Sequence, residues 1–151
     1  MNEVSRGNQQ CPGLTVPSDD RNNSARHADD FARASARAFA EDWIAAWNAR
    51  DLERILAHYA AEIVFLSPVA QKRVGDGRVV GIPALRAYWG QGLAAQSDLK
   101  FELDDVLVGH SCLTILYRNH RDQSAAETFE FGAEGKVVQS YACYARGRNP
   151  S

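Results

Sequence analysis

The sequence is short of the residues that announce most chemistries. Cysteine occurs three times, at Cys11, Cys112 and Cys143, with no CxxC pair and no histidine at zinc-ligand spacing. That excludes the common structural zinc modules and a disulfide framework; an odd, scattered set reads as free thiols in a reducing compartment. Cys112 and Cys143 sit in apolar runs, where cysteine is expected as a small core residue. The four histidines, His27, His58, His110 and His120, fall in a polar segment, beside a helical stripe and at or near turns, and suggest no metal site. No apolar run approaches the ~18 residues of a membrane span, and the first 30 residues lack the apolar centre of a secretory signal. Neither charge sign is in large excess: 17 basic and 19 acidic residues give a net −2. A broad basic field for nucleic acid or an anionic membrane is therefore missing. Gly75-Asp76-Gly77 is a turn signal and no phosphate loop. The expectation is a cytoplasmic protein with no metal or other cofactor and no nucleic-acid or membrane partner.

What is present is a chain of 151 residues, 45% hydrophobic, which suits one domain. Residues 1–28 are polar and without helical or strand period and read as a flexible tail. Residues 29–146 form the domain, and 147–151 a short flexible C-terminus. A helix starts near Asp29 or Asp30, either of which can cap it. Phe39, Trp43 and Trp47 recur at i, i+4, i+8 on one face, with Ala34, Ala36, Ala38 and Ala40 favouring helix. Asp51 caps a second, shorter helix with a stripe of Leu52, Ile55, Leu56 and Tyr59. Ile63-Val64-Phe65-Leu66 is a strand stopped by Ser67-Pro68. Residues 70–81 read as a loop or loose hairpin. Pro83 opens a third helix carrying Leu85, Trp89 and Leu93. Four strands follow, over residues 99–108, 112–120, 125–131 and 136–144, with short polar turns that imply antiparallel neighbours. Helices first and a meander afterwards is an α+β layout.

The ordered set of segments resembles one family. Trp43-Ile44-Ala45-Ala46-Trp47-Asn48-Ala49-Arg50-Asp51-Leu52 is similar to the first helical corner of the SnoaL-like branch of the nuclear transport factor 2 superfamily. Tyr59-Ala60-Ala61-Glu62-Ile63-Val64-Phe65 resembles its link into the first strand, and Gly81-Ile82-Pro83-Ala84-Leu85-Arg86-Ala87-Tyr88-Trp89 its third helix. Glu127-Thr128-Phe129-Glu130-Phe131 with Gly135-Lys136-Val137-Val138 resembles its final hairpin. The match runs from about residue 36 to 145. It implies a cone-shaped, curved antiparallel sheet packed on three N-terminal helices around an internal apolar pocket. It also implies a homodimer through the outer sheet face, and it leaves the reaction open. Against the ketosteroid isomerase relatives, the tyrosine donor falls on Trp43, the aspartate base on Ser67 before Pro68, and the second acid on Glu127. Steroid isomerisation by those residues is not expected. The histidine–aspartate pair of scytalone dehydratase and the Asp-Arg-Asp trio of limonene epoxide hydrolase have no clear counterpart.

Glu127 is the residue of most chemical interest. By strand alternation it shares a face with Phe129 and Phe131. In an aromatic cavity burial would favour its neutral form and make it a general acid or base. The competing expectation is a structural ion pair: a turn centred on Asp122-Gln123 would put Arg118 opposite Glu127. Further ligand-lining candidates are Trp43, Trp47, Tyr59, Phe65, Ser67, Trp89, Arg118, Phe129 and Tyr144. The resemblance puts the helical and strand aromatics where the family lines its cavity, and aromatics at helical spacing also serve as plain core. Pocket lining is favoured for Trp43, Trp89 and Tyr144, and Ser67 is expected to cap the strand end beside Pro68. Asp104 and Asp105 are adjacent on a strand, point to opposite faces and make no catalytic pair. Ile115 and Tyr117 are expected on the face opposite Phe129 and Phe131, which would leave an outer apolar face for a second chain. Two functions remain open: a small-molecule isomerase, cyclase or hydrolase using Glu127 as acid or base, and a non-catalytic ligand-binding or dimeric interaction module of the same fold.

Overall fold

A computed structural model describes residues 20–147 of the chain. The helix α1 spans Asp20–Asn48 and α2 spans Leu52–Leu56, and both precede the first strand, β1 (Tyr59–Leu66). A short helix α3 (Pro68–Val74), a strand β2 (Arg78–Val80) and a second long helix, α4 (Ile82–Ala95), follow. The chain ends in a meander of β3 (Glu102–Val108), β4 (Cys112–Arg118), β5 (Ser124–Phe131) and β6 (Val137–Tyr144).

The helix α1 begins at Asp20, earlier than the capping aspartates suggest. The segment from Asp20 to Ala28 holds no proline or glycine, so nothing stops a helix nucleated by the alanine-rich stretch from running back through it. Of the expected tail, residues 1–19 lie outside the described residues, as do 148–151 at the other end. The buried stripe of α1 is Ala36, Ala40, Trp43, Ile44 and Trp47, the i, i+4, i+7, i+8 pattern of an amphipathic helix.

The region expected as a loop contains α3 and β2. Ser67 is the N-cap of α3, accepting from the Val69 and Ala70 amides at 3.1 and 3.4 Å, and Pro68 occupies the first turn, where no amide is needed. Gly75 ends it in the left-handed conformation, φ 79°. The helix is seven residues long, too short for periodicity to reveal.

All six strands form one sheet in the order β2-β1-β6-β5-β4-β3. Four of its pairings are antiparallel, but β1 and β6 run parallel, so the sheet is mixed and not purely antiparallel. Their separation in sequence makes this possible, since a parallel neighbour needs a long connection. The sheet's inner face carries Leu113, Ile115 and Tyr117 of β4, Ala125, Glu127 and Phe129 of β5, and Ser140 and Ala142 of β6, all buried. Cross-strand register puts Ile115 opposite Glu127 and Leu113 opposite Phe129. Ile115 and Tyr117 therefore share the inner face with Phe129, contrary to the expectation from the sequence. The outer face holds half-buried Thr114, Leu116, Ala126, Thr128 and Tyr141. Cys112 is half-buried and Cys143 exposed, so neither is a core residue. Bulges interrupt the β3–β4 ladder between Leu103 and Asp105 and the β5–β6 ladder between Glu130 and Phe131. The first leaves Asp104 and Asp105 both exposed.

The core is an aromatic cluster centred on Trp43. Its ring stacks on Phe101 at 5.8 Å and meets Trp47, Tyr117 and Phe129 edge-on. Each such pair adds roughly 0.5–1.5 kcal/mol beyond the area it buries. Asn48 joins α1 to the start of β3, donating to the Phe101 carbonyl at 2.9 Å and accepting from the Phe101 amide at 2.7 Å. Arg50, in the left-handed region at φ 57°, donates to the carbonyls of Leu93 and Gln96 and so ties the helical corner to the end of α4. His58 is mostly buried: Nδ1 contacts the Ile55 carbonyl at 3.0 Å and Nε2 the Asp42 carboxylate at 2.8 Å. Arg54 bonds the same carboxylate and is the main cause of the lowered Asp42 pKa.

Candidate functional site

A cavity of about 810 Å³ opens between the sheet, α1, α3 and α4. Its position follows from topology. β1 and β6 run parallel and finish at the same end of the sheet, where the β4–β5 turn also lies. Residues of α3 and α4 line the cavity, and Trp43, Trp47 and Trp89 reach it from the helices.

Glu127 lies in the wall, 3% exposed. One carboxyl oxygen accepts from the Ser140 hydroxyl at 2.9 Å. Among the described residues no cation lies on it. Burial raises its pKa to about 7, against a smaller lowering by the Ser140 hydrogen bond, because a charge in a low-dielectric wall loses its hydration. The expected ion pair with Arg118 does not form. The β4–β5 register pairs Arg118 with Ser124, three residues from the expected partner. The turn is centred earlier in sequence, with Asp122 in the left-handed region at φ 57°. Arg118 instead bonds Asp104, Asp122 and Glu102 on the exposed side.

Four phenols surround this acid. The charge of Glu127 contributes to raising the pKa of Tyr59, Tyr88, Tyr117 and Tyr144, although desolvation is the largest cause for each. Tyr88, Tyr117 and Tyr144 line the cavity. The neighbouring Ser67 hydroxyl offsets part of the rise at Tyr88 and Tyr144. All of these phenols stay protonated at neutral pH and are therefore donors.

Of the residues expected from sequence, the structure brings Trp43, Trp47, Phe65, Trp89, Glu127 and Tyr144 to one cavity. Tyr59, Ser67, Arg118 and Phe129 stand outside its wall. Tyr59 accepts the Trp43 indole N–H at 2.9 Å, so Trp43 has no donor left for a ligand. Phe129 is fully buried between Phe39, Trp43 and Tyr59. Ser67 is occupied as a helix cap. Sequence reasoning passed over Tyr88, Tyr117 and Ser140. Tyr117 has the same strand parity as Leu113 and Ile115, a signal that was available once the register was right. Ser140 was hidden by the bulge, which shifts the parity of β6. His120 was seen only as a turn residue, yet it lines the cavity with Asp98 at 3.6 Å. Among the described residues no group of three His, Cys, Asp or Glu is placed to hold a metal ion.

Residues 40–143 match the model of the SnoaL-like domain family. A SnoaL-like protein of unknown function from Burkholderia thailandensis is 39% identical, with 76% of this chain and 97% of that one covered and a TM-score of 0.73. AclR, a proposed hydroxylase from Streptomyces galilaeus, is 22% identical, with 75% and 90% covered and a TM-score of 0.60. A proposed isomerase of the SnoaL-like family from Agrobacterium tumefaciens is 15% identical, with 75% and 99% covered and a TM-score of 0.61. The two more distant proteins share the fold. No curated protein matches the chain. With its helical corner, mixed sheet and cavity between them, the chain belongs to the SnoaL-like domain family.

Proposed function

We propose that this chain is a small-molecule enzyme that holds an aromatic-sized ligand in its cavity and moves a proton to or from it with Glu127. The observation that supports this reading best is the carboxyl itself: in the cavity wall, without a cation among the described residues, with a pKa of about 7. A general acid or base works best when its pKa lies near the ambient pH. The ionised form takes a proton from a carbon next to a ligand carbonyl. Electron density moves to the carbonyl oxygen, where a phenol of Tyr88, Tyr117 or Tyr144 donates a hydrogen bond to the developing charge. The protonated Glu127 then returns the proton to a different atom, which is an isomerisation. Alternatively the carbanion attacks a second carbonyl in the same molecule and Glu127 protonates the new alkoxide, which closes a ring. Both sequences balance without an oxidant or a cofactor. The proposed isomerase from Agrobacterium tumefaciens has the same fold and a compatible reaction type.

The non-catalytic reading has less support, because Arg118 does not neutralise Glu127 and three phenols share its cavity. A second copy of the chain on the outer sheet face is part of the proposal. It would cover Leu116, Ala126, Tyr141 and exposed Leu107. No described helix is long and apolar enough to cross a membrane.

The test is deuterium exchange at carbon in an enolisable aromatic ketone, 1-tetralone, followed by proton NMR in heavy water. The wild type should speed exchange, with a rate that rises as Glu127 ionises through about pH 7. Glu127→Gln should lose about a hundredfold or more of that acceleration while still quenching tryptophan fluorescence on ligand addition. Equal rates in both proteins would refute the assignment of Glu127.

A further inference from the structure

The mouth of the cavity has a charge character that its interior lacks. Lys72 and Arg73 come from the last turn of α3, Arg121 from the β4–β5 turn and Arg146 from the segment after β6. All four line the cavity and all four are exposed. They come from different parts of the chain and meet because β1, β6 and the β4–β5 turn finish at one end of the sheet. Among the described residues none of the four is in an ion pair, whereas Arg37, Arg54, Arg86 and Arg118 each hold an acid. This occurs on a chain whose net charge is −2, so the cations at the mouth do not reflect composition. Arg73 reaches toward α4: its guanidinium is 3.5 Å from where a Cβ on Gly92 would stand. It also bears on Tyr88, lowering that phenol's pKa in part against desolvation.

Inside the same cavity, two polar side chains lack a hydrogen bond, although His120 Nε2 lies 3.6 Å from the Asp98 carboxylate. The buried indole nitrogen of Trp47 and both ring nitrogens of His120 make no hydrogen bond among the described residues. Buried polar groups are nearly always satisfied, and exceptions commonly mark a ligand or water position. Between the mouth and Glu127 the wall is aromatic, with Phe65, Trp89, Phe101 and Tyr117. A cleft with low-dielectric walls and charge of one sign at its rim attracts ligands of the opposite sign, and guanidinium groups pair well with oxyanions.

We infer that the ligand is amphipathic: an aromatic or polycyclic body that enters the cavity and an oxyanion, such as a carboxylate, that stays at the mouth between Lys72, Arg73, Arg121 and Arg146. The inference rests on the cavity being a ligand site and adds the ligand's charge and orientation. It also separates two roles: the mouth cations hold the anionic end, and Glu127 faces the reactive part of the body deeper in.

The test uses two fluorescent probes with the same body. 1-Anilinonaphthalene-8-sulfonate carries an anion, and N-phenyl-1-naphthylamine does not. Binding is read by energy transfer from Trp43, Trp47 and Trp89, which line the cavity. The wild type should bind the sulfonate about tenfold more tightly than the neutral probe, the size expected from two or three partly exposed charge pairs. The preference should shrink as salt is raised. The quadruple variant Lys72→Ala, Arg73→Ala, Arg121→Ala, Arg146→Ala should lose the preference and keep the neutral probe, which also shows that it is folded. The double reversal Arg73→Glu, Arg121→Glu should favour the neutral probe. Equal binding of both probes by the wild type would overturn the inference and leave the cavity reading standing. A preference unchanged in the quadruple variant would also overturn it. Failure of both probes to bind would overturn the inference together with the ligand-site reading beneath it.

Discussion

Replacing Glu127 by glutamine should change how the stability of the domain depends on pH. The side chains are nearly the same size, and glutamine can keep a hydrogen bond with Ser140, so packing is conserved. What is lost is the ability to ionise. In the folded chain Glu127 has a pKa of about 7 against an ordinary value of 4.5. Below pH 4.5 the group is protonated in both states and burial of the neutral acid carries no charge penalty. Between 4.5 and 7 the unfolded chain releases the proton and the folded chain keeps it, so stability falls as pH rises. Above 7 the folded state carries a buried carboxylate and the loss is complete. A shift of this size corresponds to about 3 kcal/mol across the window. Urea denaturation of both proteins from pH 4 to 8.5 reads it, because groups common to both cancel in the difference. The variant's stability relative to the wild type should rise by about 3 kcal/mol as pH increases through that window. A difference that stays flat would mean that Glu127 is solvated or paired, and the reasoning from burial would fail.

Two further predictions concern the frame of the site. Tyr59→Phe leaves the buried Trp43 indole N–H without its acceptor and should destabilise by about 1–3 kcal/mol. A double-mutant cycle with Trp43→Phe should recover most of that loss, and additive effects would contradict the pairing. Asn48→Ala removes the two hydrogen bonds that hold Phe101 against Trp43. It should cost about 1 kcal/mol in urea denaturation and red-shift tryptophan emission, whereas an unchanged spectrum would show that Phe101 is positioned by packing alone.

The sequence was most legible where periodicity runs long. Phe39, Trp43 and Trp47 at helical spacing, the stripe from Leu52 to Leu56, and the four apolar strands after Leu99 all specify their elements locally. The ordered motifs carried the family. What stayed hidden depends on pairing between distant segments. The parallel contact of β1 with β6 leaves no local signature. The β4–β5 register was misplaced because Arg121-Asp122-Gln123 fits more than one turn, and the error moved Arg118 from the solvent side to the acid. The same misreading set Tyr117 on the wrong face. Seven residues of α3 are too few to show a helical period, although Ser67-Pro68 and Gly75 are its start and stop signals. Within the candidate site Glu127 was found because the resemblance to the ketosteroid isomerase relatives puts an acid there, and strand parity gave it an aromatic setting. Of the phenols around it, Tyr59 and Tyr144 were legible as lining candidates, whereas Tyr88 and Tyr117 were not, since tyrosine at a core position looks like any other aromatic. The mouth cations escaped because Lys72, Arg73, Arg121 and Arg146 are ordinary surface residues until the fold brings three separate segments together.

The central claim is that a carboxyl in the cavity changes its charge near neutral pH. It is tested most directly by a carbon-13 NMR titration of the Glu127 side-chain carboxyl, assigned by its loss in Glu127→Gln. The account predicts a midpoint near 7, well above the ordinary 4.5, and unmoved by Arg118→Ala because that guanidinium bonds Asp104, Asp122 and Glu102. A midpoint at or below 4.5 that rises on removal of Arg118 would contradict it and make Glu127 a structural partner in place of an acid–base group.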